Sequence, residues 1–155
     1  MAIHKRTLDH LRKMTLQDLP GVMLGERESY PHPWTEKIFL DCLDSNHYSC
    51  WVLELDGELA GHVIISAAVG EAHILNLCVY PQNQRQGWGR KMLNEAEWIA
   101  KQYKAETCFL EVRPSNIVGV TLYQTMGYNE VGLRKNYYPA DQGREDAIIM
   151  AKSLF

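Results

Sequence analysis

Asn76–Leu77–Cys78–Val79–Tyr80–Pro81, followed by Gln82–Asn83–Gln84–Arg85–Gln86–Gly87–Trp88–Gly89–Arg90–Lys91, is the stretch on which the fold turns. Its first half is an apolar, strand-like run stopped by proline. Its second half opens a helix, because Trp88, Met92, Ala96, Ile99, Ala100 and Tyr103 recur at three- and four-residue steps. A loop that enters a helix in this way offers free backbone N–H groups and the positive end of the helix dipole, which together bind anions. Gly87 and Gly89 let a phosphate approach the backbone, and Arg85, Arg90 and Lys91 add charge at the same place. A glycine-rich turn before a helix is also commonly just a turn. Two familiar phosphate loops are excluded: no Lys-Ser or Lys-Thr follows a second glycine, and Met92 stands where a dinucleotide loop needs its third glycine.

Outward from this stretch the periods alternate. Upstream, Thr15 caps a helix running through Leu19, Val22, Met23 and Glu26, and Thr35–Glu36–Lys37–Ile38 opens a second helix after Pro31 and Pro33. Cys50–Leu55 and Glu58–Ser66 read as strands joined at an Asp56–Gly57 hairpin, with a third strand over Ala72–Val79. Downstream come a strand over Thr107–Arg113, a helix over Asn116–Met126 ended by Gly127, and strands over Tyr128–Leu133 and Ala147–Ala151. That order predicts a mixed sheet covered by helices, an α/β (α+β mixed) three-layer arrangement. With 155 residues and neither repeat nor linker, residues 1–155 are expected to form a single domain.

Composition narrows the function. Hydrophobic residues make up 46% and charged ones 23%, the balance of a folded globular chain. A net charge of −3 offers no sequence-wide attraction to nucleic acid or anionic lipid. No apolar run approaches the roughly 18 to 20 residues of a membrane helix. Thr7, Asp9, His10 and Arg12 follow Lys5 and Arg6 where a secretion signal would be apolar, so a cytoplasmic protein is expected. Cys42, Cys50, Cys78 and Cys108 form no C-x-x-C pair and are expected to be reduced and mostly buried, without a zinc or disulfide framework.

The segment Asn76 to Pro81 with Gln84-x-x-Gly87-x-Gly89 resembles the signature of the Gcn5-related N-acetyltransferases. Four further stretches carry the likeness over nearly the whole chain from Pro33–Trp34–Thr35 onward: Leu110–Glu111–Val112–Arg113–Pro114–Ser115–Asn116, Leu122–Tyr123-x-x-Met126–Gly127–Tyr128, Arg134–Lys135–Asn136–Tyr137–Tyr138–Pro139 and Gly143–Arg144–Glu145–Asp146–Ala147. They are similar to the branch of that family that modifies ribosomal proteins at an N-terminal alanine. The resemblance implies a three-layer fold around a mixed, mostly antiparallel sheet, with acetyl-coenzyme A as co-substrate and no metal. It implies that the backbone of Leu77, Cys78 and Val79 meets the pantetheine and acetyl group. Arg85, Gln86, Gly87, Trp88, Gly89 and Arg90 would wrap the phosphates, and Asn116 would touch the coenzyme. It carries the general base onto Glu111, the general acid onto Tyr123, and makes the N-terminus of a ribosomal protein the acceptor, with no nucleic-acid or membrane partner.

The residues admit these roles. Acetyl transfer to an amine needs a neutral nucleophile, a held thioester carbonyl and a proton for the departing thiolate. Alternation puts Phe109, Glu111 and Arg113 on one face of their strand, and Glu111 is its lone carboxylate, readable also as a solvated strand residue. Asn116, Gly119, Val120 and Tyr123 share a helix face; Asn116 reads also as an N-cap and Tyr123 as a half-buried core ring. Trp34, Tyr137 and Tyr138 are loop aromatics able to grip a peptide or to pack as core. Cys78 reads as a small strand residue, since no histidine accompanies it locally. His62 and His73 read as structural, with no metal-type cluster around them. Two rival functions remain: acetylation of a lysine or small-molecule amine on the same core, and a non-catalytic acetyl-coenzyme A-binding module.

Overall fold

Asp56 and Gly57 take φ of +50° and +81°, the left-handed pair that a two-residue hairpin requires, and they join strands β2 (Tyr48–Leu55) and β3 (Glu58–Ala68) from the pair Leu55 and Glu58 outward. A second turn, at Val69 and Gly70, returns the chain as β4 (Glu71–Val79). The computed structural model describes residues 8–155; Lys5 and Arg6, read above for a secretion signal, lie outside the described residues. The remaining elements are β1 (Leu11–Lys13), α1 (Leu19–Ser29), α2 (Glu36–Asp44), α3 (Trp88–Gln102), β5 (Thr107–Val112), α4 (Ile117–Thr125), β6 (Asn129–Pro139) and β7 (Arg144–Ser153). One seven-stranded sheet runs β1-β2-β3-β4-β5-β7-β6, antiparallel everywhere except between β4 and β5, which are joined by the crossover through α3. The mixed, mostly antiparallel three-layer arrangement expected from the sequence is therefore the one observed.

Both faces of the sheet are covered. Val63, Ile65 and Ile74 pack with Met92, Leu93, Ala96 and Ile99 of α3, with Tyr123 of α4 and with Met126 just past its end. On the other face Val52 and Ile64 pack with Val22, Met23 and Phe39 of α1 and α2. Burial on both faces explains the unbroken apolar runs in β2 and β3, where a one-sided sheet would alternate. Among the described residues no helix is long and apolar enough to cross a membrane, and all four cysteines are buried.

Three sequence expectations need correction. The strand β1 is unpredicted: it is three residues long, and its pairing with Trp51–Leu53 comes from forty residues away. Leu16–Asp18 form a single 3₁₀ turn, and the α-helix starts only at Leu19. Within that turn the Asp18 carboxylate accepts from the Thr15 backbone N–H and is clamped by Arg12, which holds its pKa down at about 2. Finally, β6 extends to Pro139 instead of ending at Leu133. Its pairing with β7 jumps from Arg134 and Ala147 to Tyr138 and Glu145, so Lys135–Tyr137 bulge out of the ladder, with Asn136 at φ +52°.

Two irregularities create the functional space. Ile65 pairs with Ile74 and Ile64 with Asn76, so Leu75 is an extra residue in β4. Because side chains alternate, the extra residue reverses the facing of everything beyond it: Ile74 points toward α3, whereas Asn76 and Cys78 sit opposite Ile64 and His62 on the α1 side. At the same point β4 leaves β5. The parallel ladder covers only Glu71–Ile74 with Thr107–Leu110, and beyond it the two strands are not paired.

Candidate active site

Where β4 and β5 separate, the sheet opens into a cleft of about 860 Å³. Strand β5 sends alternate residues to its two sides as expected: Cys108, Leu110 and Val112 are buried against the α3 layer, while Phe109 and Glu111 are half-buried on the opposite side. Glu111 lines the cleft, and Arg134 on β6 donates from Nε to its Oε1 at 3.0 Å. Helix α4 contributes from below. Asn116 is its N-cap, with Oδ1 accepting from the Gly119 backbone N–H at 3.0 Å, and Gly119 leaves room for that side chain: a Cβ there would lie 2.6 Å from Asn116 Nδ2. Two turns along the helix Tyr123 reaches the same cleft while 8% exposed, its ring 6.0 Å from Tyr128 in an edge contact. Burial pushes its phenol pKa well up, with nearby Tyr138 the next cause, so Tyr123 carries its proton throughout the neutral range.

The cleft gathers seven of the residues singled out by sequence, namely Trp34, Leu77, Glu111, Asn116, Tyr123, Tyr137 and Tyr138. The bulge in β6 throws Tyr137 and Tyr138 toward it, so they belong to a strand, contrary to their reading as loop residues. Arg113 lies over the Tyr138 ring at 4.3 Å, and burial, with the Glu111 charge second, pushes the Tyr138 phenol up to about 12. Trp34 serves partly as core, tilted on Phe39 at 5.2 Å.

Cys78, Val79 and Arg85–Arg90 do not line the cleft. Cys78 is buried toward α1, and burial pushes its thiol up to about 12, so it is protonated and no nucleophile. Arg85 to Arg90 lie beyond the end of β4. Gly87, at φ +86°, is the N-cap of α3, and the first helical bond runs from Lys91 N–H to its carbonyl, so the amides of Trp88, Gly89 and Arg90 precede the helical ladder. Among the described residues no atom lies within 4 Å of where a Cβ on Gly87 would be, whereas one on Gly89 would meet Leu122 of α4 at 3.2 Å. The loop therefore presents these amides with open space at Gly87 and with exposed Arg85, Arg90 and Lys91 around them, an arrangement that can accept an anion. The Trp88 ring is turned to the protein, edge-on to His10 at 5.1 Å.

A matching family model spans residues 10–128: the Acetyltransferase (GNAT) family. The chain belongs to the GNAT acetyltransferases. Among its relatives in that family is the [ribosomal protein bS18]-alanine N-acetyltransferase of Escherichia coli (strain K12), 36% identical over 144 residues, which are 93% of this chain and 97% of the relative. The same enzyme from Salmonella typhimurium (strain LT2) is 37% identical over 138 residues, 89% of this chain and 93% of the relative. The crystal structure of the ribosomal-protein-S18-alanine N-acetyltransferase from Escherichia coli superposes with a TM-score of 0.86, covering 93% of this chain and 92% of that one. The GNAT fold explains the splayed strands, and the family draws its acetyl group from acetyl-coenzyme A. This chain is accordingly an acetyltransferase.

Sequence reasoning missed a buried network on the α1 side of the cleft. Glu26, 1% exposed, accepts from His62 Nε2 at 2.9 Å, Asn76 Nδ2 at 3.0 Å and the Trp34 backbone N–H at 2.9 Å; His62 Nδ1 meets the Tyr80 hydroxyl at 2.7 Å. The structural reading of His62 holds, but the absence of a ligand-type cluster around it does not: donor atoms of Glu26, His62 and Cys78 lie within 4.8 Å of one another. Both His62 nitrogens are already engaged. The one available signal was Glu26 itself, an acid on the face of α1 that also carries Val22 and Met23.

Proposed function

We propose that the chain transfers the acetyl group of acetyl-coenzyme A to the N-terminal alanine amine of a small-subunit ribosomal protein, the acceptor named for its relatives. The observation that carries a catalytic reading is the cleft itself, where a carboxylate from β5 and a buried, protonated phenol from α4 share one space between diverging strands. A pure binding module needs neither group. The amides at the start of α3 and Arg85, Gln86 and Arg90 hold the pyrophosphate, and the pantetheine runs beside Leu77, Cys78 and Val79, with Asn116 a further contact. The Leu77 carbonyl already accepts from the Tyr30 hydroxyl at 2.6 Å, so its contribution to the coenzyme is the N–H. Trp34, Tyr137 and Tyr138 form the acceptor's side of the cleft. No step calls for a metal.

In this mechanism Glu111, directly or through a water, takes a proton from the acceptor ammonium. The freed lone pair attacks the thioester carbonyl carbon, whose oxygen is polarised by a backbone N–H near Val79. As the tetrahedral intermediate collapses the carbon–sulfur bond breaks, and the Tyr123 hydroxyl gives its proton to the leaving thiolate. The second proton of the attacking nitrogen leaves through water to restore the phenol, while Glu111 releases its own proton to solvent. The products are an N-acetylated chain and free coenzyme A. Because burial raises the Tyr123 phenol above its ordinary value near 10, its proton is kept as pH rises, and kcat should stay level from about pH 8 to about pH 10. A decline in that window that tracks phenolate formation at Tyr123, read by ultraviolet difference spectra, would contradict the assignment.

The acceptor is tested by chemistry as well as by likeness. An α-amine has a reference pKa near 8 and a lysine ε-amine near 10.4, so at neutral pH their uncharged fractions differ by roughly 10²-fold, and a carboxylate base suits the former. A peptide beginning with free alanine should be acetylated on its α-amine, and blocking that amine should abolish reaction even with an internal lysine present. Site-resolved mass spectrometry of both peptides decides. Preferential lysine labelling would replace this acceptor with a lysine or small-molecule amine and leave the acetyl-donor site untouched.

A further inference from the structure

The acceptor wall and the donor strand are parts of different elements, and two ties join them. One is Glu26: a single carboxylate at the end of α1 accepts from the backbone N–H of Trp34 on one oxygen and from Asn76 of β4, together with His62 of β3, on the other. The second is Tyr30, whose hydroxyl donates to the Leu77 carbonyl of β4. Everything between Tyr30 and Trp34, including Pro31, His32 and Pro33, lines the cleft and lies in no regular element; its other contacts, His32 Nε2 with Asp141 at 3.4 Å and Trp34 on Phe39, do not reach β4.

We propose that Glu26 is a positioning residue for the acceptor: with Tyr30 it holds the segment Tyr30–Trp34 at a set distance from β4, so that an amine bound against that segment faces the donor. This rests on the reading of Trp34 as part of the acceptor side. The carboxylate is the right group for the task because all three of its partners donate. A carboxylate only accepts, so His62 turns its Nε2 proton to Glu26, with its Nδ1 2.7 Å from the Tyr80 hydroxyl. Asn76 likewise must turn its NH₂ to Glu26, and its Oδ1 is left buried without a partner, which shows that Glu26 alone sets the orientation of that amide. The network runs from the acceptor side to Asn76 of the donor strand and His62 of β3, and none of its bonds reaches Gly87 or the start of α3.

Glu26→Gln separates the ties. A carboxamide keeps one accepting oxygen, and the side with two donors, His62 and Asn76, claims it; its NH₂ then faces the Trp34 N–H, donor against donor, and that tie is cut. Tyr30→Phe cuts the other tie by removing one hydroxyl and leaves Glu26 intact. Each variant should raise the acceptor KM about tenfold, the usual scale for losing one such bond at a site, while the acetyl-coenzyme A Kd measured by calorimetry stays within about twofold. The acceptor is the alanine-first peptide, or whichever amine wild type is found to use. A wrong acceptor therefore shows in wild type, and a wrong role for Glu26 shows in the variants. An unchanged acceptor KM in folded Glu26→Gln, or acetyl-coenzyme A affinity falling in parallel with it, overturns the proposal. Should Glu26→Gln fail to fold, Tyr30→Phe decides by the same two readouts.

Discussion

Glu111→Gln should lower kcat by about a hundredfold or more, close to 2.7 kcal/mol of transition-state stabilisation. The substitution changes little else. Glutamine has the shape of glutamate, still offers an oxygen to the Arg134 Nε that now lies 3.0 Å away, and sits on a strand fixed by β7 along its whole length. What it lacks is the capacity to take a proton near neutral pH, so the loss falls on the chemical step. Acetyl-coenzyme A affinity should stay near wild type because the loop proposed to hold its phosphates, at the start of α3, belongs to another part of the chain. Single-turnover kinetics under saturating peptide isolate that step. Wild-type turnover in Glu111→Gln, with chemistry shown to be rate-limiting, would remove Glu111 as the base.

Gly87→Val should weaken acetyl-coenzyme A about tenfold or more, the scale of losing one charge-assisted hydrogen bond. Gly87 holds φ +86°, and among the described residues no atom lies within 4 Å of where its Cβ would stand. The cost is local: about 1–2 kcal/mol of left-handed backbone strain, and a branched side chain standing where a phosphate would approach the amides. Trp88→Leu is the control. It keeps the same amides and alters a ring that leans on His10 and carries Lys91 Nζ at 4.5 Å, so its affinity should fall far less than that of Gly87→Val, staying within a few-fold of wild type. Calorimetry with a circular-dichroism check of folding reads both, and full affinity in folded Gly87→Val would take the loop out of the site.

The elements that sequence alone places well are those whose signals are local. Asp56–Gly57 is a turn by its own dihedral preference, and the stripe from Trp88 to Tyr103 is a helix by its own period. So too the sidedness of β5 and α4, which puts Glu111 and Tyr123 toward the same space, follows from alternation and helical period within each segment. The rest depends on partners distant in sequence. Nothing in Leu11–Lys13 says strand until Trp51–Leu53 is beside it. Leu75 looks like any strand leucine, and only the mismatch between Ile64 and Ile65 against Asn76 and Ile74 makes it a bulge. Tyr137 and Tyr138 were visible as aromatics, but the excess of β6 residues over β7 residues that aims them was not. Glu26 draws on residues 36 and 50 positions further on, so its burial could not be read from α1.

The strand order carries a consequence for how the enzyme comes into being. The hairpins of β2, β3 and β4 join neighbours in the chain and can zip early, whereas β7 must enter between β5 and β6, both already made, before either has its full set of partners. The strand bearing Glu111 is thus held on one side by a four-residue parallel seam and on the other by the last strand to arrive. During synthesis the amino-terminal half of the sheet can be native while the cleft does not yet exist. The cleft is then gained in one late, non-local step, and a nascent chain stalled before β7 has the loop that opens α3 without Glu111 fixed on its second side.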